Sequence, residues 1–284
     1  MRSILFFVLA VGLGGGIFAQ EVSLFVKEVN ENRSTDASDS KLELSVSVMG
    51  VTVDGTHQVK IGAITSATDD TGAVLPRMEG DFFDDQYESE AEVKITLRAP
   101  SRKATKLTSV TGHLLYLNPT EANNGLVYTK NPTGQLGKNL LAGKYDDIKV
   151  TFATRELMEK IKADNEAETK KKMDKLRESG ELGEGVAQAL GGLSSMLESF
   201  GGMFGFGGGS QLYFYVEGDA DRLLEINVKD AAGKKINRGF SSVNDLKSVT
   251  VKEELQDDWV IELIIENEQS IQKLPFTLTD VILP

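Results

Sequence analysis

The sequence predicts a mainly β protein: two antiparallel β-sandwich modules, immunoglobulin-like in kind, with a helical hairpin inserted between them. Three observations predict it. Apolar residues alternate with polar ones at a period of two over most of the chain, the mark of strands with one buried and one wet face. Turn residues punctuate these runs at short intervals. A single stretch, residues 153–210, breaks the alternation with helix-forming composition and then glycines.

Taken in chain order, residues 1–19 read as an address. Arg2 supplies a positive start, Ile4 to Val11 a short apolar core, and Ile17-Phe18-Ala19 a cleavage site. That is the pattern of a secretory signal peptide. Glycines at 12, 14, 15 and 16 interrupt the apolar run, which falls short of the roughly 20 residues a bilayer span needs. The expected protein is therefore exported, periplasmic or at the cell surface, with no transmembrane span after cleavage.

Residues 20–152 are assigned to the first sandwich. Leu42, Leu44, Val46 and Val48 alternate with Glu43, Ser45 and Ser47; Val93, Ile95 and Leu97 alternate with Lys94 and Thr96; Ile148, Val150 and Phe152 alternate with Lys149 and Thr151. Val59 to Ala67 and Thr108 to Leu117 are further strands. Asp54-Gly55 marks a tight turn, and Pro100 and Asn118-Pro119 each close a strand.

Residues 153–210 are assigned to the hairpin and a glycine-rich linker. Thr154 is the candidate N-cap. Residues 155–178 hold no Gly or Pro and are rich in Glu, Lys, Ala, Met and Leu, which favours helix. After Gly180 and Gly183 the character changes. Val186, Leu190, Leu193, Leu197, Phe200 and Phe204 recur at three- and four-residue spacing and make one broad apolar face.

Residues 211–284 are assigned to a smaller sandwich, with strands around Leu212 to Val216, Leu224 to Val228, Val249 to Val251, Trp259 to Ile265, and Phe276 to Leu278. One larger sandwich carrying the helices as an insertion is the alternative. A short echo links the two strand regions: DDTGAVLPR at 69–77 and DAAGKKINR at 230–238 share Asp-x-x-Gly-x-x-(Leu/Ile)-x-Arg without a gap. The expected geometry is a hairpin in each, with Asp accepting backbone N–H bonds and Gly at positive φ.

Composition excludes several chemistries. There is no cysteine, so disulfides, thiolate nucleophiles and Cys-bound zinc are out. A formal charge of −12 and a pI near 4.8 argue against nucleic acid as a partner. Only two histidines, His57 and His113, are available for acid–base work, and no Gly-x-Ser-x-Gly, HExxH or P-loop pattern occurs. No catalytic or cofactor residue is assigned.

Three features remain as candidate sites. The apolar stripe Val186, Leu190, Leu193, Leu197, Phe200 and Phe204 is a candidate partner-binding face, with packing inside the chain as the alternative. Tyr213 and Tyr215 share the strand face opposite Phe214 and form a candidate stacking platform for a sugar or another protein. Acidic runs at Asp36–Asp39, Asp69-Asp70 and Asp81–Asp85 are the places where calcium would find oxygen ligands, although none follows the EF-hand spacing.

ATDDTGAVLPR, LRAPSRKATKLTSVTGHLLYL and KLPFTLTDVILP together resemble uncharacterised exported bacterial proteins built from tandem β-sandwich modules. The resemblance implies sandwich folds and export and carries no functional residues. The expected function is that of an exported non-enzymatic envelope protein, a protein-binding or structural module acting on another envelope protein or a glycan. A carbohydrate-binding module, with or without calcium, is the alternative, and a hydrolase with an unmarked site the third.

Overall fold

The structure is a computed structural model, and it describes residues 22–36, 39–78, 86–154, 157, 160, 171, 210–243 and 245–284. The described residues form thirteen strands: β1 (Ser23–Asn32), β2 (Lys41–Met49), β3 (Gln58–Asp69), β4 (Glu92–Arg98), β5 (Lys106–Leu117), β6 (Leu126–Lys130), β7 (Ile148–Phe152), β8 (Ser210–Gly218), β9 (Leu223–Lys229), β10 (Asn237–Val243), β11 (Leu246–Val251), β12 (Val260–Ile265) and β13 (Ile271–Ile282). They make four sheets, ordered β1-β2-β4, β13-β5-β3, β10-β11-β8-β7 and β6-β12-β9. The protein is mainly β, with antiparallel pairing.

The chain divides into two compact units, one of Met1–Tyr116 with Gln272–Pro284 and one of Leu117–Ile271. In the first unit the period-two pattern sets the core. Register places Leu42 opposite Leu97, Leu44 opposite Ile95 and Val46 opposite Val93, so the apolar faces of β2 and β4 coincide. Those side chains share one core with Val59 and Ile61 of β3, Leu107, Val110 and Leu114 of β5, and Phe276 and Leu278 of β13. Each such fully buried side chain contributes roughly 1.5–3 kcal/mol.

The second unit repeats the principle. Phe152 of β7 faces Phe214 of β8, with ring centroids 4.9 Å apart and an interplanar angle of 10°. On the other sheet Leu263 of β12 lies between Val127 of β6 and Ile226 of β9, and all five side chains belong to one core with Trp259.

The outward positions of β12 depart from simple alternation. Glu262 points away from Ile261 and Leu263 yet is 1% exposed. It is flanked by Tyr128 of β6 and Asn227 of β9. Asn227 Nδ2 donates to Oε1 at 3.1 Å and Lys229 Nζ to Oε2 at 2.5 Å. A buried carboxylate is tolerated because both oxygens are paired. Burial, with the Glu262 hydrogen bond and charge behind it, pushes the Tyr128 phenol up to about 12.

The repeated Asp-x-x-Gly segments adopt the expected turn, once in each unit. Asp69 Oδ1 accepts from Thr71 N at 2.9 Å and Ala73 N at 3.0 Å; Asp230 Oδ1 accepts from Ala232 N at 3.0 Å and Lys234 N at 2.9 Å. Gly72 and Gly233 follow at φ +82° and +79°, a conformation glycine adopts without strain.

The expected module boundaries, 20–152 and 211–284, differ from the observed division. β6 and β7, assigned from sequence to the first module, pair with β12 and β8 of the second unit. β13, assigned to the second, joins β5 and β3 in the first. Alternation tells which face of a strand is buried and not which strand lies beside it. Thr154 Oγ1 accepts from Leu157 N at 3.2 Å, and Leu157, Lys160 and Lys171 have helical backbone. The rest of the expected hairpin and linker, and the expected signal peptide, lie outside the described residues. Among the described residues, no helix is long and apolar enough to cross a membrane.

Candidate functional site

Four loops of the second unit converge on a polar cleft of about 580 Å³. The β5–β6 loop supplies Asn123 and Asn124, the segment before β7 supplies Tyr145 and Asp147, the β8–β9 turn supplies Asp219 and Arg222, and the β12–β13 loop supplies Glu266 to Gln269.

Its floor is locked by amides. Asn123 Oδ1 accepts from Thr120 N at 2.8 Å and Gly125 N at 2.9 Å, while Nδ2 donates to Asn118 O at 2.9 Å. Asn267 does the same for the facing loop: Oδ1 accepts from Gln269 N at 2.9 Å and Ser270 N at 3.0 Å. Its Nδ2 reaches Tyr145 Oη at 2.8 Å and Asn123 O at 3.0 Å. Tyr145 Oη donates in turn to Asn124 O at 2.8 Å. Short Asn side chains stabilise irregular backbone in this way, here beside Asn124, whose backbone sits at φ +56°.

Arg222 crosses this floor. Nε donates to Glu266 O at 3.1 Å, Nη1 to Asp147 Oδ2, and the guanidinium lies 5.5 Å from the Tyr145 ring centroid. The Arg222 hydrogen bond holds the Asp147 carboxyl below its ordinary range. Burial pushes the Tyr145 phenol up, against the opposing influence of Asn267 and Arg222. Gly218 makes the approach of this turn to Asp147 possible: its φ is +100°, and a Cβ there would lie 2.2 Å from Asp147 O.

Above the floor the groups are open. The side chains of Asn124, Glu268 and Gln269 make no hydrogen bond among the described residues. The lining holds no Ser, Lys or His, so the cleft can orient a ligand through hydrogen bonds and charge.

A second cavity, about 460 Å³, lies in the first unit between residues 24–29 of β1 and 277–282 of β13, each the terminal strand of its sheet. Both strands are blunted there. β1 bulges at Lys27, which pairs with Glu92, and β13 turns left-handed at Asp280, which pairs with Lys106 at 2.5 Å. Bulges and charges are the usual defence of an open edge.

The residues expected from sequence lie elsewhere. Val186, Leu190, Leu193, Leu197, Phe200 and Phe204 fall outside the described residues. Tyr213 and Tyr215 share a face, as expected, but not as an open platform. Tyr213 is 8% exposed, clusters with Ala153 and Leu246, and donates its hydroxyl to Gln211 Oε1 at 2.8 Å; Tyr215 is half-buried. Ala153 and Leu157, just beyond β7, pack in this cluster, and Ala153 N bonds Tyr213 O at 2.8 Å.

Of the acidic runs, Asp69 serves its turn, and Asp70 accepts from Thr105 N at 3.0 Å; Asp81–Asp85 lie outside the described residues. Among the described residues no group of three or more His, Cys, Asp or Glu is placed to hold a metal. His57 Nδ1 lies 3.1 Å from Asp54 Oδ1 in an exposed turn. The His57 backbone N–H, with help from Thr56 N–H and the imidazole, holds the Asp54 carboxyl below its ordinary range. His113 lies half-buried in β5 against Gly62.

Sequence reasoning missed the cleft. Asn118-Pro119 reads as a strand end only, and Asn267, the partner of Asn123, lies 144 residues further on. Comparison with protein-family models, with curated proteins and with solved structures finds no match to this chain.

Proposed function

We propose that the protein is an exported, non-enzymatic component of the cell envelope that works by binding, with the cleft of the second unit as its recognition surface. The observation that carries the reading is the contrast within the cleft: a floor whose amides are taken up by loop backbone and by Tyr145, beneath a rim of open polar side chains. A fixed floor lowers the ordering penalty of binding, and polar groups converging in a concavity are the general form of a ligand site. Export is supported by the pattern of residues 1–19.

The fold reading that accompanies this is a pair of β-sandwich modules with an inserted helical hairpin. Two sheets share each core, which supports the sandwich. The second unit has seven strands split four and three, as in an immunoglobulin constant domain. Its chain-order sequence within the sheets, fifth-sixth-third-second and first-seventh-fourth, is a different one, so the proposal keeps the sandwich and not the immunoglobulin order. The apolar stripe from Val186 to Phe204 remains a second contact face in this proposal.

Immobilised full-length protein, wild type and Gln269→Arg, tests the reading against native envelope components. Wild type should retain a discrete component that the variant releases. Equal retention by both would remove the cleft from the function. Deleting residues 186–209 in parallel reports on the apolar stripe.

A further inference from the structure

We infer that the cleft of the second unit takes a neutral polyhydroxyl ligand, a short stretch of uncharged glycan. The inference rests on the binding reading above and names the ligand class.

Charge narrows the field first. The lining carries Asp147, Asp219, Glu266 and Glu268 against the single cation Arg222, and Arg222 is already paired with Asp147. An anionic ligand would meet the like charge of Asp219 and Glu268. A cationic one would have to enter beside the guanidinium, which lies across the floor on Tyr145. Ile271 is the only aliphatic residue of the lining and Tyr145 the only aromatic one, and the rest of its carbon surface belongs to the stems of polar side chains, so a ligand that covers it must also meet their polar ends.

Hydrogen-bonding chemistry then points the same way. The open groups are two amides, Asn124 and Gln269, and the Glu268 carboxylate, with the second oxygen of Asp219 beside them; Asp219 Oδ1 accepts from Asp221 N at 3.3 Å. An amide offers donor and acceptor together, and a carboxylate only accepts. A row of hydroxyls, each donor and acceptor at once, is the ligand that satisfies this mixed set without leaving a buried charge unpaired. The rim groups stand on backbone held by the bonds of the floor, so binding has to order only their side chains.

The test is a titration of the full chain with three probes: neutral gluco-, manno-, galacto- and chito-oligosaccharides, a uronic-acid oligosaccharide, and an oligolysine peptide. Each is repeated on Gln269→Ala and Asn124→Gly. The glycine keeps the left-handed backbone and the Tyr145 bond while removing the amide. Circular dichroism and melting establish that both variants remain folded. Neutral oligosaccharide should bind, and each variant should weaken it about tenfold, the effect of losing one good hydrogen bond. Preferential binding of the uronic-acid or oligolysine probe, lost in the same variants, overturns the ligand class and leaves the cleft as a binding site. Binding of neutral oligosaccharide that neither variant weakens overturns the inference. No probe bound overturns it too, and if Gln269→Arg also fails to release an envelope component, the binding reading falls with it.

Discussion

In the first unit Asp69 Oδ1 collects three bonds, from Thr71 N, Ala73 N and the Thr71 hydroxyl at 2.7 Å, and the residue is 1% exposed, with Oδ2 buried and unpartnered among the described residues. In the second unit Asp230 collects the two backbone bonds alone and stays half-buried. The turn geometry is the same in both, down to the bridges that follow, Thr68 with Val74 and Lys229 with Lys235. A local motif thus sets the turn, and its surroundings set how much depends on it. The cavities differ in the same sense. In the first unit the charges beside the opening are spent on pinning strand edges; in the second, part of the polar rim is left unspent.

The largest expected effect tests whether the second unit rests on its aromatic pair. Phe214→Ala removes the stacked partner of Phe152 and should destabilise by about 4 kcal/mol, read from denaturant unfolding. A loss below about 1 kcal/mol would show that the pair is not central to that core.

Next comes the buried polar row. Glu262→Ala leaves Lys229 and Asn227 without their acceptor and should lose about 3 kcal/mol. The same variant should lower the Tyr128 phenol part of the way from about 12, since burial, the larger cause, remains, seen as tyrosinate absorbance in an alkaline titration. The sign follows from the shift. A raised folded value means the fold holds the proton more tightly than the unfolded chain does. That stability is complete below pH 10 and lost as pH rises through about 12. An unchanged titration would detach Tyr128 from Glu262.

The turns themselves supply a graded pair. Asp69→Ala should lose about 2 kcal/mol and Asp230→Ala about 1 kcal/mol, in proportion to burial and bonds accepted. Equal losses would mean that the surroundings of Asp69 add nothing. Gly72→Ala and Gly233→Ala, both at positive φ, should each lose about 1 kcal/mol, matching because the backbone geometry matches.

The smallest effect distinguishes the strand edges. The Glu92 hydrogen bond raises the Lys27 pKa, and the Asp280 hydrogen bond raises that of Lys106, above the ordinary 10.5. Both pairs are intact below pH 10.5 and break as pH rises through the raised values. Hydrogen exchange in β1 and β13 should therefore accelerate at alkaline pH before exchange in β2 does. Simultaneous acceleration would show that the pairs do not pin the edges.

Strand positions were legible because alternation is local: β2, β4, β7 and β8 fall where Leu42 to Val48, Val93 to Leu97, Ile148 to Phe152 and Leu212 to Val216 place them. The Asp-x-x-Gly turns were legible for the same reason. Partnering was not. Nothing in the apolar pattern of Phe276 and Leu278 tells that β13 returns to β5. Glu262 reads as a solvent-facing position, since alternation does not report that Tyr128, Asn227 and Lys229 enclose it. The cleft was illegible because its floor is built from Asn123, Tyr145, Arg222 and Asn267, polar residues of four separate loops whose spacing follows no period.

The central claim, that the rim of the cleft is where this protein meets its ligand, is tested most directly by a position-resolved cross-linking profile in the native envelope. A photoreactive residue is placed in turn at Asn124, Glu268 and Gln269, and as controls at Thr71 and Thr108, exposed positions of the first unit. Adducts are expected at the three rim positions and none at the controls; a profile that is flat across all five, or strongest at Thr71 and Thr108, would place the contact elsewhere.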